Sequence, residues 1–103
     1  MTNAAALLDA IGEPTRRTIV ERLVDRPAAV SDLARDLPIT RSAVSQHLQI
    51  LKSVGLVTDR AVGTRRIYTV DPAALAIIRA YFDAFWTRSL AAFRDAAEQP
   101  EDT

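Results

Sequence analysis

The sequence predicts a small, mainly helical domain carrying one β-hairpin. Three observations support this: apolar residues recur at three- and four-residue intervals, prolines and glycines interrupt them often, and over residues 56–70 β-branched and aromatic residues flank a glycine. A length of 103 residues with 49% hydrophobic content suffices for one compact domain. Residues 1–98 are read as that domain, and the polar run 99–103 as a frayed tail.

Each element has its own signal. Leu7, Leu8 and Ile11 share one helical face, with Thr2 or Asn3 as cap and Gly12 as stop. Pro14 suits a first helical turn, and Ile19, Val20, Leu23 and Val24 continue a second helix until Pro27 forbids it. Ser31 can cap a third helix over Asp32 to Leu37, with Asp32 near the positive end of its dipole and Pro38 beyond its end. Thr40 caps a fourth helix of about three turns, closed by Gly55. The short gap between the third and fourth helices is helix-turn-helix spacing. LVTDRA and RRIYTV on either side of Val62-Gly63-Thr64 read as a hairpin with Gly63 at its tip. Asp71 can cap and Pro72 can open a last helix reaching about Glu98. That helix would be ~39 Å long, more than one small core can cover, so its apolar stripe implies a partner surface.

Net charge is zero, but it is not evenly spread. Residues 38–68 carry a net +4 from Arg41, Lys52, Arg60, Arg65 and Arg66 against Asp59, and the two flanks are acidic. The longest apolar run, Ala73 to Ile78, is far below the ~20 residues of a membrane helix. The start lacks the features of a secretory signal and there is no cysteine, so a cytoplasmic protein without disulfides is expected.

The fourth helix has two jobs. At 100° per residue Val44, Leu48 and Leu51 share one side, while Ser42, Ser45, Gln46 and Gln49 occupy the other. Solvent alone is served better by Glu and Lys, which form helices well and add solubility. Gln can bond bidentately to adenine, Ser can donate or accept, and Arg prefers guanine. Arg41, Ser42, Ser45, Gln46 and Gln49 are therefore the candidate base contacts with double-stranded DNA. The basic hairpin complements them as a wing, its Arg60, Arg65 and Arg66 placed for phosphates or a minor groove. With Thr40, Lys52, Gly63 and Thr64 these are the candidate backbone contacts.

The run SDLARDLPITRSAVSQHLQILKSVGLV, followed by GTRRIY, resembles the winged helix-turn-helix repressors of the arsenical-resistance (ArsR) family. Their signature is a DLA-type helix followed by S-x-x-S-x-H-L-x-x-L-x-x-x-G-L-V. The resemblance implies a homodimer joined by the first and last helices, with two recognition helices in successive major grooves of a palindromic operator. Leu7, Leu8, Ile11, Ile78, Phe82, Phe85, Trp86, Leu90 and Phe93 are the interface candidates. It also implies repression relieved by a signal.

Departures from the family bear on that signal. Metal-sensing members carry a C-V-C segment where this chain has Ala29, Val30 and Ser31, and others use His on the final helix, where residues 72–98 have none. One His and no Cys cannot build a zinc site, so no metal or other cofactor is expected and the chain falls with members lacking metal ligands. His47, at the signature's His position, reads either as a structural bridge to a neighbouring element or as a phosphate contact or pH-sensitive group. No Gly-flanked nucleophile, triad or phosphate loop points to an enzyme. Two further readings remain: a protein-interaction module without specific DNA binding, and a regulator with a small-molecule effector near Phe82, Phe85 and Trp86.

Overall fold

The computed structural model describes residues 3–99. In chain order they form α1 (Ala4–Gly12), α2 (Pro14–Asp25), α3 (Val30–Asp36), α4 (Arg41–Ser53), β1 (Val57–Val62), β2 (Arg65–Val70) and α5 (Pro72–Glu98). This is the expected five-helix arrangement with a hairpin wing. Thr2 and residues 100–103 lie outside the described part, so of the expected tail only Gln99, the residue capping the end of α5, is described.

Short polar side chains start most helices by taking an N–H that the helix itself leaves free. The Asn3 side chain accepts from the Ala6 amide at 2.8 Å, Glu13 from Arg16 at 2.7 Å, Thr40 from Ala43 at 3.2 Å and Asp71 from Ala73 at 2.9 Å. The third helix differs from expectation. It begins at Val30, so Ser31 sits inside the first turn and Ala29 holds the cap position. The Asp32 carboxylate instead reaches back to accept the Ala29 N–H at 3.0 Å. The free carbonyls at the end of α1 are taken by its successor, with Arg16 donating to Ala10 at 2.7 Å and Arg17 to Ile11 at 3.0 Å.

The end of α4 is a Schellman motif. The Leu56 N–H bonds to Leu51 and the Gly55 N–H to Lys52, both at 3.0 Å, with Gly55 at φ +83°. This reversal folds Leu56 and Val57 into the core and launches β1 from the end of the helix. The strands pair antiparallel from Val57↔Val70 to Val62↔Arg65. Val62 therefore belongs to β1, and the turn is the two-residue Gly63-Thr64 rather than the three-residue loop expected. Gly63 has φ +63° and Thr64 has no positive φ, the pattern of a type II′ turn, whose twist suits a hairpin. Ala28 pairs with the outer edge of β2 through Tyr68, its N–H to the Tyr68 carbonyl at 3.1 Å and the reverse bond at 2.8 Å.

One core joins these elements: Leu7, Ile19, Leu23, Leu33, Val44, Leu48, Leu51, Leu56 and Val57 are all closed to solvent. Leu7 is thus a core residue of its own chain, not part of a face that a second copy could touch. Leu8, Ile11 and Ile78 are half-buried at the core's edge. Beyond Ile78 the last helix leaves the body, which stretches the described fold to 72 × 27 × 20 Å.

Gly55→Ala places a Cβ in the left-handed region and is expected to lower stability by about 1–2 kcal/mol. Thr40→Ala should lose about 1 kcal/mol with its cap. Both are read from urea unfolding at one fixed chain concentration.

Candidate nucleic-acid interface

The site starts from the anchoring of α4. Val44, Leu48 and Leu51 are at most 1% exposed and lock one side of the helix into the core. The opposite side then has to face outward: Arg41, Ser42, Ser45, Gln46 and Gln49 are all exposed. Among the described residues, side-chain hydrogen bonds on this helix are confined to its two ends: the Thr40 cap, the Lys52 ammonium on Asp59 at 2.9 Å and the Ser53 hydroxyl on the Ile50 carbonyl at 2.7 Å. The donors and acceptors of the five candidate base readers are left for a partner.

The wing stands beside this helix but is less freely charged than the sequence implies. Asp59, with its side chain only 8% exposed, holds Lys52 Nζ at 2.9 Å and Arg66 Nη1 at 3.0 Å. It therefore fastens the last turn of α4 to both strands. Asp32 of α3 grips Arg65 next to the turn and Arg35 at 3.4 Å. Arg41 and Arg60 are exposed and have no ion pair among the described residues. Arg41, Thr64, Arg65 and Arg66 come together with Ser31 around an opening of about 320 Å³ between α3, α4 and the wing tip. Arg60 lines a separate recess of about 290 Å³ with Thr58, Ile67 and Thr69.

The aspartates were missed as site residues because their partners are distant in sequence: Arg65 lies 33 positions from Asp32. For Asp59 a signal existed. Strand alternation puts it on the face of buried Val57, where a carboxylate needs a cation.

His47 lies at the buried edge of α4, with Nδ1 enclosed, lacking a hydrogen-bond partner, and 3.9 Å from Glu13 Oε2. That distance is too long for a hydrogen bond. The ring faces the cap of α2 rather than the exposed polar side, as a structural role requires, but the expected bridging hydrogen bond is not formed.

Four carboxylates titrate below their ordinary values of 4.5 for Glu and 3.8 for Asp. The Arg16 backbone N–H does this for Glu13, the Ala29 N–H with Arg65 for Asp32, Arg22 for Asp36, and Lys52 with Arg66 for Asp59.

The comparisons with known proteins agree with this geometry. Residues 13–59 match the family described as "Bacterial regulatory protein, arsR family". The chain is 52% identical over 93 residues to the HTH-type transcriptional regulator Rv2034 of Mycobacterium tuberculosis, covering 90% of this chain and 87% of that one. The chain belongs to the arsR family. Another relative of this arsR-family protein is the HTH-type transcriptional repressor SmtB of M. tuberculosis, 37% identical over 75 residues, spanning 73% of this chain and 56% of the relative. Among solved structures, an ArsR-like transcriptional regulator from Rhodococcus sp. RHA1 superposes with a TM-score of 0.77 at 32% identity, covering 94% of each chain. A possible transcriptional regulator for arsenical resistance gives 0.72 at 44% identity, covering 93% of this chain and 98% of that one. The family is one of DNA-binding transcriptional regulators, which favours the DNA reading over the protein-interaction module.

Two outcomes follow. Between the depressed and the ordinary carboxylate pKa values the unfolded chain binds more protons than the folded one, so stability rises with pH there. Unfolding midpoints should be flat from pH 7 to about 5 and fall steeply below about pH 4, and Asp59→Asn should make that fall shallower. On DNA, Gln46→Ala and Ser45→Ala should each cost ~1–3 kcal/mol where a good base contact is lost and relax preference at particular positions. Arg60→Ala should weaken all sequences alike and reduce the log–log salt slope by about 0.9. Anisotropy titrations on operator and scrambled duplexes separate the two.

Proposed function

We propose that this arsR-family protein is a homodimeric repressor that reads a palindromic operator through Arg41, Ser42, Ser45, Gln46 and Gln49. Thr40, Lys52 and the wing contact the DNA backbone. The observation that carries this is the outer side of α4, which is exposed, unengaged and lined with uncharged hydrogen-bonding groups over an apolar anchor. A winged helix-turn-helix presents that surface to a major groove, and two copies read half-sites one helical turn apart.

The dimer is supported by α5. Phe82 is 54% exposed, Trp86 66% and Phe93 75%, and with Phe85 and Leu90 they form an apolar face that nothing among the described residues covers. An exposed apolar patch of this kind marks an interaction surface. Tyr81 stacks edge-on against Phe82 and Phe85 with ring centroids 5.8 and 5.0 Å apart, which holds that face in a fixed shape. Leu8, Ile11 and Ile78 extend it toward the body. Any small-molecule effector would act here by changing how the rings pack, and Trp86 fluorescence would report it.

The chain fits the members without metal ligands, having no Cys and one His, with Ala29, Val30 and Ser31 where metal-sensing members carry thiols. No helix among the described residues is long and apolar enough to cross a membrane, consistent with cytoplasmic work. Nothing in the site calls for catalysis.

Gel shifts on the DNA upstream of the protein's own gene test the reading. Binding that falls steeply with salt supports it, and salt-insensitive binding contradicts it. Phe82→Glu with Trp86→Glu should leave a folded monomer by light scattering whose affinity for the full palindrome drops to that for a half-site.

A further inference from the structure

Five cations surround α4 and the hairpin, yet internal carboxylates hold three of them. The two aspartates are placed differently. Asp59 is sunk at the junction of α4 and the strands, bonded to two cations at once, and serves to hold that junction together. Asp32 lies behind the 320 Å³ opening, next in the chain to its lining residue Ser31, and its Oδ2 receives both the Ala29 N–H and Arg65, a lining residue whose side chain is half exposed beside the turn. The opening itself carries the hydroxyls of Ser31 and Thr64 and the guanidiniums of Arg41, Arg65 and Arg66. This is the donor set of a phosphodiester site, with two of its arginines already on internal anions, Arg66 on buried Asp59 and Arg65 on Asp32.

We propose that the opening between α3, α4 and the wing tip seats one DNA phosphodiester, and that Asp32 competes with that phosphate for Arg65. The inference rests on the DNA-binding reading. In the free protein Arg65 lies on Asp32, and in the complex its fork turns to the phosphate. Breaking the Asp32 ion pair offsets part of what the Arg65–phosphate contact gains, so Arg65 adds less to affinity than an arginine that starts free. Arg60, which has no such partner among the described residues, contributes in full. Asp32 thereby weakens DNA binding through one identifiable contact, which a chain of zero net charge otherwise has little means to tune.

The test is a double-mutant cycle of Asp32→Asn and Arg65→Ala, titrated on one operator duplex over a range of salt. Asn keeps a side-chain carbonyl oxygen for the Ala29 N–H, and circular dichroism establishes that each variant is folded. D32N should raise affinity about two- to fivefold at low salt. In the R65A background D32N should leave affinity unchanged. R65A alone should cost less affinity than R60A, an arm that does not need D32N to fold. If D32N strengthens binding equally with and without Arg65, its charge acts by general repulsion and the proposal is overturned. Unchanged D32N affinity overturns it too. If neither wild type nor D32N binds any DNA, the DNA-binding reading fails and the proposal fails with it.

Discussion

The constraint on which the rest depends is the double use of α4. Its three apolar residues at 44, 48 and 51 are closed into the core, and that seat fixes which residues the same rod turns outward. A helix rotated by one residue, about 100°, would bury Ser45 and Gln49 and expose Leu48, losing apolar burial and leaving polar groups without partners. The energy that folds the domain and the geometry that presents the polar side are therefore the same. The Thr40 cap and the Schellman turn at Gly55 fix the two ends, and the turn also delivers the chain into the wing. Recognition helix and wing are thus set by one short segment of about thirty residues, the part of the chain where the family signature is concentrated.

Electrostatics refine this picture. Summed along the sequence, the segment carrying α4 and the wing is distinctly basic, yet in three dimensions two aspartates lie against three of its cations. Asp59 costs the interface little, because Lys52 and Arg66 remain about half exposed while sharing it, and it supplies a cross-brace between helix and sheet. Asp32 joins the wing tip to the first helix of the helix-turn-helix pair, so wing position and helix position are coupled. The Asp59 brace, which stays in place, leaves the wing less freedom to lose on docking, whereas the Asp32 contact has to open before Arg65 can reach a phosphate.

Much of this was legible in the sequence. The five helices, the hairpin, the caps at Asn3, Thr40 and Asp71, and the two-sided α4 follow from local periodicity and turn chemistry. Such signals survive because residues three and four apart on a helix meet whatever the tertiary context. Features depending on distant residues were not legible. The Ala28–Tyr68 bridge, the Asp32–Arg65 contact and the enclosure of Leu7 each join segments far apart in the chain, and periodicity carries no information about which segments meet. The shift of the α3 cap from Ser31 to Ala29 is subtler. Asp32 at the third helical position reaches back to the Ala29 N–H, a different free donor from the one two or three residues on that a Ser31 cap would take, and the sequence presents both solutions side by side.

The central claim is that the outer side of α4 lies against nucleobases. It is tested most directly by placing a photo-crosslinking amino acid at position 46, and separately at exposed Glu21 on α2, and irradiating each protein on a duplex from its own upstream region. Crosslinks to bases are expected from position 46 and none from position 21. Retained binding with crosslinks from position 21, or with none from position 46, would contradict it.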